Sequence, residues 1–306
     1  MKKTILVTGC RGFIGSAFIH RYYEKYTFVG VDIVSSVKDG LCDAEYSADI
    51  CDYEAMKEIF SNHKIDIVLH TAAEKSLVKC EEEKERAFAI NYTGTIGLLS
   101  LAEQYRSKFV FISSDQVFDG TKALYSEASL VNAINYYGRL KILAEQRLLS
   151  YPNAAICRTA LVFGNIPAEQ MDYFNQIKHR DTLSVQGYIV QHTKYRLEHN
   201  LRIILPDDEF VSPTHVLLLA DQLDHVISRN VSGILHCCGK GRISRYDMGV
   251  CIAEHYNLDK IDILRSGYPD LLRPKDVSMD CTYTENKLGM CFMTFPEMLD
   301  AYMKET

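Results

Sequence analysis

Three glycines spaced three apart, Gly9, Gly12 and Gly15, follow the apolar run Ile5-Leu6-Val7 and precede an amphipathic stretch with Phe18, Ile19 and Tyr22. A buried strand, a glycine turn and a helix in that order leave few folds open. The backbone bends tightly, then approaches a ligand with no Cβ in the way, then packs a new helix close to the sheet. That helix offers unpaired N–H groups and the positive end of its dipole to an anion. A glycine triplet alone also fits an ordinary turn; here the flanking strand and helix patterns supply the context of a phosphate site. Thr8 to Ser16 therefore predicts a dinucleotide site, with Gly9, Arg11, Gly12, Phe13, Ile14 and Gly15 against the cofactor.

The pattern continues downstream. Strand-like runs at 5–7, 27–31, 65–69, 109–112 and 155–157 alternate with helix-like stretches at 16–26, 53–62, 85–105 and 136–149. Such βαβ alternation predicts an α/β fold of the Rossmann type, a doubly wound parallel sheet with helices on both faces. Every proline lies at Pro152 or later, and after Phe163-Gly164-Asn165 the alternation stops. The expected layout is a dinucleotide-binding domain over 1–164, completed by about 209–238, and a smaller C-terminal substrate lobe from 165–208 and 239–306. Within that lobe 171–182 reads as a loop, 184–200 as a weak helix and 201–205 as a strand.

A formal net charge of −6 gives no support for nucleic acid or an anionic membrane as partner. No apolar run is long enough to span a bilayer and no signal-peptide pattern precedes the first strand, so the expected location is cytoplasmic. The ten cysteines are scattered, without a C-x-x-C, and read as small buried hydrophobes of a reducing compartment. The ten histidines form no ligand cluster, so no metal is expected.

Asp32 ends the second strand pattern, seventeen positions after Gly15, where a carboxylate would grip the adenine ribose hydroxyls. Its charge disfavours a 2′-phosphate, whereas Arg11 could pair with one, so the cofactor is NAD or NADP with NAD favoured. Tyr137 and Lys141, four apart on a helix pattern, share one face. A phenol titrating near about 10 is a poor acid or base at neutral pH. A neighbouring ammonium is expected to draw that value down. Ser114, directly after an apolar strand, sits on the sheet edge where α/β folds bind ligands. Singly, these residues read as a loop cap, an exposed pair and a turn serine.

Together they resemble the extended short-chain dehydrogenase/reductase family, which also matches Thr71-Ala72-Ala73 and Asn91 in Asn91-Tyr92-Thr93-Gly94. The resemblance implies that Tyr137, Lys141, Ser114 and Asn91 are catalytic, with Asn91 in a proton relay. It also implies that Asp49 and Ile50 flank the adenine, and that Ala72 and Ala73 line the cofactor. Within the family, Ser113-Ser114-Asp115-Gln116-Val117-Phe118-Asp119-Gly120 looks most like the dTDP-4-dehydrorhamnose reductase branch, as do Ser212-Pro213-Thr214 and Arg273-Pro274-Lys275-Asp276. The branch implies hydride transfer to C4 of a nucleotide-activated 4-keto-6-deoxysugar, with Ser114, Asp115 and Arg273 against the substrate. Three departures bear on the sugar: Gln116 stands for a Tyr, Leu161 for a Trp, and 165–200 is long. A 4,6-dehydratase needs a carboxylate where Gln116 offers an amide; an epimerase needs only the same Ser/Tyr/Lys set. The chain also resembles the non-catalytic regulatory subunit of methionine adenosyltransferase, through Ile112–Thr121 and Arg273-Pro274 with Asp280-Cys281. Family resemblance further implies a homodimer paired through 85–105 and 136–149.

Overall fold

Ile5, Leu6 and Val7 are wholly buried, as a strand covered on both faces requires. The computed structural model describes residues 2–34, 40–165, 174–176, 178–180, 186–267 and 272–303. The strands β1 (Thr4–Thr8), β2 (Thr27–Asp32), β3 (Ala44–Ser47), β4 (Ile67–His70), β5 (Lys108–Ser114), β6 (Ala154–Thr159) and β7 (Gly233–His236) form one sheet. Its order is β7-β6-β5-β4-β1-β2-β3, a seven-stranded parallel sheet of Rossmann type, as expected. Val7 pairs with Gly30 on one side and with Leu69 on the other, so β1 lies where the strand order reverses. Ligands of open α/β sheets bind beyond the carboxyl ends of the strands at such a point.

The helices α1 (Phe13–Tyr22), α2 (Tyr53–Asn62), α3 (Leu77–Glu82), α4 (Lys84–Phe88), α5 (Thr95–Tyr105) and α6 (Tyr136–Leu148) lie between these strands in the chain. The helix expected over 85–105 is not continuous: Ala89–Gly94 is a π-helix joining α4 to α5. A π-turn of this kind inserts an extra residue and often marks a functional site; here it is centred near Asn91. Leu98, Leu99, Leu101 and Ala102 of α5 share a core cluster with Leu6, Val68, Phe109 and Ile156 of the sheet.

The chain forms two compact units. The first comprises 1–117, 131–158 and 220–235; the second comprises 118–130, 159–219 and 236–306. The second holds short strand pairs, among them Ile203–Pro206 parallel to Ile263–Ser266. It also holds a helix at Ile189–Glu198, within the stretch expected to be helical, and Leu197, Ile203, Leu205, Ala253 and Ile263 form a small core. Half of the loop expected over 171–182 lies outside the described residues, and within it 174–176 are helical rather than loop. No helix among the described residues is long and apolar enough to cross a membrane.

Candidate active site

The glycine turn is built by close approach. Gly9 has φ +68°, and a Cβ there would stand 3.0 Å from the Ala72 backbone. A Cβ on Gly15 would come within 2.4 Å of Gly9 O, so any side chain would push α1 off the loop. Gly12 caps α1 without a side-chain hydrogen bond, so no side chain of the cap covers the first N–H groups. A pyrophosphate fits a loop so made. Thr71 Oγ1 donates to Thr8 O at 2.7 Å, tying the segment with Ala72 and Ala73 to the end of β1.

Asp32 faces this loop, accepting from Arg11 N at 3.1 Å and from Val34 N at 3.2 Å. The Arg11 guanidinium, weighed from sequence as a phosphate ligand, is gripped at two points by Glu45 of β3. Nε donates to Oε1 at 2.5 Å and Nη2 to Oε2 at 2.8 Å. Asp49 is exposed and caps the turn at Cys51 N (2.9 Å), while Ile50 is buried in the core cluster and packs against Gly94.

The residues expected to be catalytic come together at the end of β5. Asn135 caps α6, accepting from Gly138 N at 2.8 Å, which sets Tyr137 in the first turn. Gly138 is what lets α6 come this close, because a Cβ there would lie 2.0 Å from Gln116 O. Ser114 Oγ donates to Asp115 Oδ1 at 2.9 Å, and the Gln116 amide donates to the same oxygen at 3.2 Å. Gln116 Oε1 in turn accepts from Asn135 Nδ2 at 3.0 Å. Buried hydrogen bonds thus run from Ser114 through Asp115, Gln116 and Asn135 to the start of α6. A network of this kind holds its members in one geometry.

Lys141 is buried, donates to Ile112 O at 2.8 Å, and lies 4.4 Å from the Phe111 ring centroid and 5.6 Å from that of Tyr137. Burial pushes its ammonium down to about 8, with Glu145 and the Cys80 thiol pulling the other way. The phenol of Tyr137 does not follow the expectation of a lowered value. Burial, first, and the Asp115 charge, second, push it above its ordinary range, with the Ser114 hydroxyl acting in the opposite direction. Desolvation disfavours phenolate and the adjacent carboxylate repels it, so Tyr137 is a held proton.

Asn91 uses its side chain on the backbone of Glu74, accepting from N and donating to O, both at 2.9 Å. Its carbonyl accepts the Thr95 hydroxyl at 3.0 Å. That hydroxyl sits 2.9 Å from His70 Nε2, and His70 Nδ1 lies 2.7 Å from Thr8 Oγ1. Since Thr95 donates to Asn91, it accepts from Nε2–H, which leaves Nδ1 to accept from Thr8. Burial, helped by the Lys141 charge, lowers His70 to about 3 and keeps it neutral. A hydrogen-bonded chain therefore joins the end of β1 to the π-helix. Arg273 belongs to the second unit, 3.5 Å from Glu209 Oε1, which also pairs with buried Arg245 at 3.0 Å.

Glu45, Gly138, Asn135 and His70 were not singled out from sequence. Only Gly138, inside the Tyr137–Lys141 segment, carried a local signal: a glycine in the first turn of a helix marks a close neighbour.

Burial brings the loss of the Lys141 proton down to about 8 in the folded protein, so activity at this site is expected to fall on the alkaline side with an apparent pKa about there. In the unfolded chain the same lysine holds its proton to about 10.4. Unfolded protein thus binds more protons between those values, and the contribution of Lys141 to stability rises with pH across that window. Lys141→Arg, which stays charged, should remove the alkaline limb from whatever activity remains. A limb unmoved by that change would assign it to another group.

Three similarities bear on this arrangement. A probable low-salt glycan biosynthesis reductase, Agl14, of Haloferax volcanii is 27% identical over 301 residues, 96% of this chain and 95% of the relative. A hypothetical dTDP-4-dehydrorhamnose reductase from Sulfolobus tokodaii superposes with a TM-score of 0.80 at 26% identity, covering 96% of this chain and 97% of that one. Methionine adenosyltransferase 2 subunit beta of Rattus norvegicus is 22% identical over 325 aligned positions, 99% of this chain and 91% of the relative. The RmlD substrate binding domain family matches residues 1–306 without interruption. With a glycine loop, an acidic β2 end and a Ser/Tyr/Lys set on one sheet edge, the chain belongs to the RmlD substrate-binding-domain family of extended short-chain dehydrogenases/reductases, which are NAD(P)-dependent oxidoreductases.

Proposed function

We propose that this chain reduces the C4 ketone of a nucleotide-activated 4-keto-6-deoxysugar, with NADH favoured over NADPH. When bound, the dinucleotide supplies hydride. The chain's own groups do the rest. The Ser114 hydroxyl, which donates to Asp115 in the free protein, turns to donate to the ketone oxygen, and Tyr137 passes its phenolic proton to that oxygen as negative charge develops. Lys141 favours the phenolate left behind and orients the ribose hydroxyls. Asn91 fixes the π-turn beside them as part of the proton path. Asp115 contacts the nucleotide-sugar. Self-pairing through α4, α5 and α6 belongs to the same reading, and the exposed Phe88 and Leu143 on these elements support it.

The observation that carries the proposal is the buried Tyr137 phenol beside Ser114, with the Lys141 ammonium 5.6 Å from its ring. A phenol whose acidity is suppressed by burial and by Asp115 is a donor, which suits reduction. Gln116, hydrogen-bonded at both ends of its amide, offers no base for removing water, which weighs against a 4,6-dehydratase.

The test is to mix purified protein, NADH and a dTDP-4-keto-6-deoxyhexose and follow nicotinamide absorbance and the configuration at C4. Stoichiometric loss of NADH with a new C4 hydroxyl is expected. Conversion without net NADH consumption would point to an epimerase. Tight dinucleotide binding with no oxidation across dTDP-, UDP- and GDP-linked ketosugars would favour a regulatory, non-catalytic role and overturn the proposal.

A further inference from the structure

We infer that Glu45 decides which dinucleotide this site accepts. This rests on the reading of the glycine loop as a dinucleotide site, not on the identity of the sugar. Arg11 N donates to the Asp32 carboxylate at 3.1 Å, so residue 11 stands beside the group placed to hold the adenine ribose. A phosphate esterified to that ribose would arrive next to the Arg11 side chain. An arginine there would ordinarily favour such a phosphate by pairing with it at two points.

Here that fork is already engaged. Glu45 accepts from Arg11 Nε and Nη2 at 2.5 and 2.8 Å, and both side chains are largely buried, 13% and 12% exposed. Partial burial keeps the pair from being screened as a surface pair would be. Glu45 is delivered by β3, where it is in register with Gly30 of β2, so the sheet itself fixes its approach. Among the described residues, the local charge is then two carboxylates, Asp32 and Glu45, against one guanidinium. A phosphate dianion meets a net negative charge and an arginine whose planar face is taken. A free ribose hydroxyl, a neutral donor to Asp32, meets no such penalty. Glu45 thus acts through Arg11: it is a specificity-determining residue that turns a phosphate-binding arginine into a neutralised one.

The experiment uses the whole chain and reads binding directly, by titrating NADH and NADPH and following nicotinamide fluorescence, with no sugar present. The wild type should bind NADH more tightly. Glu45→Gln, nearly the same shape without the charge, should shift the NADPH-to-NADH affinity ratio toward NADPH by tenfold or more, and less at high salt. Arg11→Gln should move the ratio little in the wild-type background and abolish the gain in the Glu45→Gln background. That coupling is the signature, because a purely structural role for Glu45 would weaken both dinucleotides alike. An unchanged ratio in Glu45→Gln, or an equal shift with Arg11 removed, overturns the inference while leaving the dinucleotide site standing. Failure of the wild type to bind either dinucleotide overturns the site and the inference together.

Discussion

Tyr137→Phe should leave about a thousandth of the wild-type kcat or less, with the thermal midpoint and NADH affinity close to those of the parent. The substitution removes one hydroxyl and keeps the ring. Asn135 still caps α6 and Gly138 still meets Gln116, so the backbone that positions residue 137 has no reason to move. The proton is lost. General acid catalysis by a positioned group is worth about 10²–10⁴-fold, and water would have to replace a donor held at the reacting oxygen. Ser114→Ala should cost less, because the remaining donor still delivers a proton, although the ketone is then less well aligned. Single-turnover rates of NADH oxidation, measured with saturating ketosugar, separate chemistry from product release. Turnover of Tyr137→Phe within a few-fold of wild type would remove the basis of the proposed mechanism.

The second large effect is on stability. Arg158 and Glu145 form an ion pair with side chains only 2% and 4% exposed, joined at 2.6 and 3.0 Å. Ser113 Oγ donates to the same carboxylate at 2.5 Å. Glu145 lies one helical turn beyond Lys141, so this pair anchors α6 to β6 directly behind the lysine. Removing one partner strands a charge away from water. Either Glu145→Ala or Arg158→Ala should therefore lower the unfolding free energy by about 3–5 kcal/mol. Against a typical total of about 5–15 kcal/mol, that is a large share. Glu145→Leu combined with Arg158→Met should recover most of the loss, since a well-packed apolar pair avoids the desolvation penalty altogether. Urea denaturation of the singles and the double measures this. Single substitutions costing under about 1 kcal/mol would show that water reaches the pair. In Glu145→Gln the alkaline limit near 8 should also move down, because Glu145 is the main group holding the proton on Lys141.

Much of the molecule follows from short stretches of chain. The glycine spacing after β1, the acidic end of β2 and the four-residue step from Tyr137 to Lys141 each express local geometry: a tight turn, a strand terminus, one helix face. Such features are legible because the interacting groups are near one another in sequence. The alternation of unbroken apolar runs with helical patterns likewise pointed to the parallel sheet, whose central strands are buried on both faces.

What only the tertiary structure decided depends on groups far apart along the chain. Arg11 meets Glu45 across 34 residues, so the guanidinium that the sequence leaves open to a phosphate is engaged by a carboxylate. The helix predicted as continuous becomes a π-turn, with the Asn91 side chain bound to the backbone of Glu74 seventeen residues earlier. Tyr137 and Lys141 stand one turn apart as spacing requires, yet burial and Asp115 govern the phenol, so its acidity falls rather than rises. Sequence spacing determines which groups share a face. Electrostatics depends on solvent and on every charge within reach, and those are settled only when the sheet closes around the site.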